Sequence, residues 1–115
     1  MSYPLRRAAS RPGRLRHRLT WERPVAVPDG AGGESVTFEE AGAFWAEIRP
    51  VAAHDKRLGE GRVSEVTHRV FLRAGLSVAS GDRLTKGARR FRVLTAHDPE
   101  EAGRYTELFV KEERP

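Results

Sequence analysis

The feature that most restricts this chain is its period. Apolar residues recur at every second position in short runs, and proline or glycine interrupts each run. In RLRHRLTWER, residues 14–23, one side carries Leu15, His17, Leu19 and Trp21. The other carries Arg14, Arg16, Arg18, Thr20 and Glu22. Successive side chains of an extended chain point to opposite faces, so this pattern predicts a half-buried strand. Pro24 should end it. Residues 43–49 repeat the pattern, with Phe44, Ala46 and Ile48 facing one way, Trp45 the other, and Pro50 as the stop. In residues 63–73, Val66, His68, Val70 and Leu72 share a face opposite Phe71.

The remaining strands are shorter. Residues 82–86 and 89–96 are separated only by Gly87 and Ala88, which predicts a tight hairpin. Residues 104–111 close the series, with Thr106, Leu108 and Val110 opposite Tyr105, Glu107 and Phe109. Between strands, residues 25–42 read as a long loop because of Pro28, Asp29, Gly30, Gly32 and Gly33, with one short strand at Ser35–Phe38. Asp98, Pro99, Glu100 and Glu101 predict a single helical turn capped by Asp98. Residues 51–62 fit either two helical turns from Val51 to Leu58, ended by Gly59 and Gly61, or a loop. The expected fold is all-β: a small barrel of about six antiparallel strands with long loops. A chain of 115 residues suits one such domain.

Charge divides the chain further. Arg6, Arg7, Arg11, Arg14, Arg16 and Arg18 precede the first acid, Glu22; of 21 basic residues, removing these six leaves 15 against 16 acidic. The excess of +5 is therefore an N-terminal property. We read residues 1–13 as an extended basic arm, broken by Pro4, Pro12 and Gly13, and residues 14–115 as the barrel domain. Such an arm either binds nucleic acid or an acidic protein surface, or stays solvated. No apolar run approaches the ~20 residues that span a bilayer, so no membrane partner is expected.

Chemistry-bearing patterns are sparse. The chain has no cysteine, hence no disulfide, thiolate nucleophile or Cys-based zinc site. None of the serines sits in a Gly-x-Ser-x-Gly elbow. His17, His54, His68 and His97 are scattered, with no helical i, i+4 pair. The Gly30–Gly33 run neither follows a strand into a helix nor carries Gly-Lys-Ser/Thr, so it is no phosphate loop. We expect neither an enzyme nor a cofactor or metal site. Trp21 and Trp45 serve either core and interface packing or stacking on bases. The second use would make the chain an OB- or SH3-like nucleic-acid-binding module with a basic tail.

The order of motifs resembles that of phage head–tail joining proteins, also called head-closure or stopper proteins. Gly13-Arg14-Leu15-Arg16-His17-Arg18-Leu19-Thr20, followed by Arg23-Pro24, is similar to their opening strand, and Asp29 to Gly33 to their glycine-containing loop. Trp45-Ala46-Glu47-Ile48-Arg49-Pro50 resembles their Trp-Ala-x-Ile-x-Pro strand. Thr67-His68-Arg69-Val70 with Arg73 resembles Thr-His-x-Val-x-x-Arg, and Arg90 to Leu94 an Arg-x-Phe-x-Val strand. Arg104-Tyr105-Thr106-Glu107-Leu108 resembles the closing Arg-x-x-Glu-Leu. The likeness spans residues 13–111. The added N-terminal residues depart from it and leave the arm's role open.

The resemblance implies a small barrel that assembles with copies of itself into a ring, a hexamer or dodecamer, in the neck of a virion or gene transfer agent particle. The ring would lie between a portal–adaptor ring above and a tail terminator or tail tube below, assembled in the bacterial cytoplasm. It would close the filled head and pass DNA to the tail. The resemblance also implies that the 51–62 segment projects into the channel. There His54, Lys56, Arg57 and Arg62 would meet phosphates of packaged double-stranded DNA without reading sequence, with Gly59 and Gly61 as hinges. Apart from the resemblance, an extended arm that orders on binding suits fastening rings together, and Arg6, Arg7, Arg11 and Arg14 would make that contact. A closed ring needs two different faces on each subunit, and Trp45 or Phe71 is expected at one of them, the alternative being that both are core.

Overall fold

The computed structural model describes residues 14–51, 65–99 and 101–113. These hold six strands: β1 (His17–Pro28), β2 (Glu34–Pro50), β3 (His68–Arg73), β4 (Arg83–Lys86), β5 (Arg89–His97) and β6 (Tyr105–Glu113). All pairings are antiparallel, and the sheet closes on itself in the order β1-β2-β3-β6-β5-β4. Closure removes the open sheet edge that would otherwise invite pairing with other chains.

Alternation groups the core residues of β1, β2, β3 and β6 as the sequence predicts, and β4 and β5 add Leu84, Phe91 and Val93. Leu19, Phe44, Ala46, Val70, Leu72, Leu84, Phe91, Val93, Leu108 and Val110 point inward and are buried. Val78, from the connection before β4, plugs the same interior. Ile48 packs against the cluster from β2. His68 shares the inward face of β3, its ring edge-on to Phe91 at 5.4 Å.

Trp21 also points inward, and its Nε1–H donates to Asp82 Oδ2 at 2.8 Å. The same carboxylate oxygen accepts the Ala79 backbone N–H at 2.9 Å. Asp82 is 4 % exposed, so both bonds act where water competes little. The first ties β1 to the start of β4 across 61 residues, and the second holds the carboxylate within its own connection. Gly42 lies opposite Trp21, where a β-carbon would stand 3.4 Å from the indole. Glycine there makes room for the ring.

Two expectations give way to the observed chain path. Pro24 does not end β1, and residues 25–42 are not a loop. The strands β1 and β2 form one long hairpin, paired from His17–Ala46 out to Pro28–Glu34. Proline is tolerated because β4 flanks β1 only at Thr20–Glu22, leaving the outer half of β1 with a free edge. A bulge at Ala41 separates the two halves: Trp21 faces Gly42 but Glu22 faces Glu40. The glycine run forms only the tip. There Asp29 Oδ1 accepts the N–H groups of Ala31 (2.8 Å) and Gly33 (3.1 Å), with Gly30 and Gly32 at φ of 82° and 87°. Those two bonds hold the Asp29 carboxyl below its ordinary pKa.

Around Asp98 the described residues make one turn, the Glu101 N–H donating to the Asp98 carbonyl at 3.4 Å, and the Asp98 side chain does not take the expected capping place. Asp98 Oδ2 instead accepts the Gly103 N–H at 2.6 Å across a bend, and Glu101 takes a positive φ of 56°. The strand expected over 63–73 is regular from His68. The β4–β5 hairpin has the predicted two-residue turn, with Gly87 at φ 59°.

Candidate functional site

The outward side chains of β2, β3, β6 and β5 line up in cross-strand rows. Glu47, Phe71, Glu107 and His97 share one row. Arg49, Arg69 and Phe109 share the next. Trp45 lies on the other side of the first row, opposite Arg18. The alternation that turns apolar residues inward places these residues together on the outside.

Two carboxylates anchor the patch. Glu107 is 3 % exposed and takes Arg69 Nε–H on Oε2 at 2.5 Å. His97 Nε2 lies 2.8 Å from Glu107 Oε1, which assigns the ring proton to Nε2. Glu47 is 8 % exposed and accepts Arg49 Nε–H on Oε2 at 2.9 Å. Arg14 Nη1 approaches the same oxygen at 3.9 Å. Buried carboxylates are costly unless neutralised and hydrogen-bonded, and three arginines supply that here. Glu47 Oε1 is nevertheless buried without a hydrogen-bond partner among the described residues.

Phe71 lies between the two anchors. It is 2 % exposed although it points away from the core, and the Arg69 and Arg49 guanidiniums lie 5.2 and 5.9 Å from its ring centre. Cations over an aromatic face are held by the ring quadrupole, so Phe71 fixes both arginines in place. Trp45 differs: it is 52 % exposed, with the Arg18 guanidinium 5.5 Å from its ring. The patch thus presents an open indole beside ordered guanidinium planes. Such a surface suits recognition of another macromolecule.

Next to it opens a cleft of about 340 Å³ lined by Arg14, Arg16, His17, Glu47 and Ile48. His17 Nδ1 accepts from Lys86 Nζ at 3.1 Å. Burial first, then the charges of Lys86, Arg89 and Arg16, hold the His17 pKa below 6.5, while Glu47 pulls the other way. No group of three or more metal-ligating side chains converges among the described residues.

The expected site residues fall in three places. His54, Lys56, Arg57, Gly59, Gly61 and Arg62, like Arg6, Arg7 and Arg11, lie outside the described residues. Arg14 stands at the cleft beside Glu47. Trp45 is exposed on the patch, and Phe71 is buried beneath its arginines. Trp21 belongs to the core. The sequence assigns no site role to Glu47, Asp82 or Glu107. A usable signal existed for one of them: Glu107 is the only charged outward residue between Tyr105 and Phe109, on a strand that alternates strictly.

The comparisons with known proteins follow the same outline. Residues 10–113 match the family described as phage head completion protein. A chain in the virion of a native gene transfer agent particle is 30 % identical, with a TM-score of 0.66, covering 90 % of this chain and 98 % of that one. The solution structure of protein SF1141 from Shigella flexneri 2a shares the fold at 21 % identity and a TM-score of 0.71, covering 88 % and 95 % of the two chains. No curated protein matches. With nearly its whole length matched, the chain belongs to the phage head completion protein family and is a structural component of a phage or phage-like virion.

Proposed function

We propose that the chain forms a homo-oligomeric ring in the particle neck, joining the portal–adaptor end of a DNA-filled head to the tail. The observation that carries this reading is the outward patch. A closed barrel has no free ladder in its body, so it must associate through side chains on its faces, and the patch displays Trp45 with Arg18 beside buried, charge-neutralised carboxylates. Family membership and the likeness to a gene transfer agent virion chain support the setting.

In this reading Trp45 meets the neighbouring subunit directly. Phe71 enters the interface through Arg49 and Arg69, which it holds in position. The 51–62 segment lies toward the channel, where His54, Lys56, Arg57 and Arg62 contact DNA phosphates. The arm with Arg6, Arg7, Arg11 and Arg14 reaches an adjacent ring.

The test is assembly. Purified chain, alone and added to filled heads, should sediment as or build a ring visible by electron microscopy, and Trp45→Ala should lose it while remaining folded by circular dichroism. A folded Trp45→Ala chain that still forms rings removes Trp45 from the interface. Deleting residues 54–61 should let heads fill and then leak DNA; retained DNA excludes the plug. Tight, steeply salt-dependent binding to single-stranded DNA without ring formation would instead favour a nucleic-acid-binding module.

A further inference from the structure

The outer half of the β1–β2 hairpin leaves the barrel sheet, tied to the body near its base by Arg23 Nη2–H donating to the Ser77 carbonyl at 3.2 Å and by the Arg83 guanidinium 4.0 Å from the Phe38 ring centre. From Arg23 to Pro28 and from Glu34 to Glu39 the two strands pair only with each other. The strand β4 reaches β1 only as far as Glu22, and β3 meets β2 only from Ala46. At ~3.3 Å per residue the tip stands about 20 Å beyond the last barrel pairing. A lone two-stranded ribbon is at best marginally stable in water, so a projecting one implies a surface that receives it.

The ribbon's composition indicates which surface. On its outward face Pro24 pairs with Phe38 and Ala26 with Val36, an apolar strip in which Val36 is 61 % exposed. Acids surround the strip. Residues 22–40 hold Glu22, Asp29, Glu34, Glu39 and Glu40 against one base, Arg23. Glu34, Glu39 and Glu40 are exposed and make no ion pair among the described residues.

The barrel body carries the complement. Trp45 is the most exposed aromatic side chain described, with Arg18 over its ring. Arg73 directly follows Leu72, the partner of Ala46, and so sits across from Trp45 on the other flank. Arg73 is exposed and likewise makes no ion pair among the described residues.

We propose that the hairpin of one copy docks on the Trp45 face of a second copy, with Val36 against the indole and Glu34 and Glu40 against Arg18 and Arg73. The contact cannot form within a chain: Val36 and Trp45 lie on one extended strand, about 30 Å apart. The two surfaces differ, so each copy gives a hairpin to one neighbour and receives one from another. That head-to-tail contact is the kind that closes into rings. The inference rests on the ring reading and says which surfaces meet.

Because the chain has no cysteine, the contact can be tested by cross-linking. A Val36→Cys/Ala43→Cys variant places one thiol on the exposed strip and one beside Trp45, too far apart to bond within a chain. Oxidation should give a ladder of covalent oligomers that ends at the ring, while Val36→Cys alone should not. Glu34→Lys/Glu40→Lys in that background should cut the ladder at least about tenfold at low salt, and adding Arg18→Glu/Arg73→Glu should restore it. Equally fast dimers from Val36→Cys alone would mean that hairpins meet hairpins, which overturns the assignment. Rings by sedimentation with no ladder overturn the hairpin contact and leave the ring standing. No rings, either in solution or on filled heads, and no ladder remove both.

Discussion

The barrel body and the hairpin that leaves it are made of the same two strands, yet they are stabilised in different ways. In the body each strand has a partner on both sides, and inward side chains such as Leu108, Phe91 and Val70 are fully buried. In the hairpin each strand has one partner, both faces meet solvent, and Asp29 at the tip supplies the local order. The bulge at Ala41 and the Trp21–Asp82 bond mark where one regime becomes the other. The lesson is a division of labour. Closure gives a rigid body without edges, and the segment excluded from closure is left available for a partner.

The largest expected effect sharpens this contrast. Phe91→Ala should cost about 3–5 kcal/mol in denaturant unfolding, while Val36→Ala should change stability by no more than about 0.5 kcal/mol. Comparable losses would mean that the hairpin is part of the core. Hydrogen exchange reads the same difference: hairpin amides should exchange by local opening, and barrel amides only near the global unfolding free energy.

At the junction, Trp21→Phe keeps the ring but removes the N–H, leaving Asp82 with a weakened set of donors. We expect a loss of about 1–3 kcal/mol, read as a lower midpoint in denaturant unfolding. An unchanged midpoint would show that the bond does not bind β1 to the start of β4. On the outer patch, Glu107→Gln should cost about 1 kcal/mol, because Arg69 is more than a third exposed and water replaces part of the lost attraction.

The smallest effects are pH effects, one in each region. The His17 pKa is lowered in the folded chain, so the unfolded chain binds the proton more readily. Stability is complete above the unfolded value of 6.5 and declines as pH falls below it; His17→Gln should flatten that decline in pH-dependent thermal melts. The Asp29 carboxyl is likewise lowered, so the tip should keep its turn until pH falls below the ordinary aspartate value of 3.8. Amide shifts of Ala31 and Gly33 should titrate with that depressed midpoint, while barrel amides stay still.

Much of this molecule is legible in its sequence, and the reasons are local. Period-two alternation sorts the residues of a strand onto two faces, so Leu19, Phe44, Val70 and Leu108 group from spacing alone on the faces that form the core. The turn at Gly87 follows from the conformational freedom of one residue type. The motif order points to the family that residues 10–113 match. Tertiary structure decided the rest, because it depends on which strands become neighbours. Proline at 24 reads as a terminator until β4 is seen to end before it, and the glycine run reads as a wide loop until its flanks pair. Phe71 and Trp45 look alike as outward aromatics. Phe71 is covered by Arg69 from its own strand and by Arg49 from the paired β2, while Trp45 stays open. Alternation states which way a side chain points; what it meets there is set by register across residues far apart in the chain.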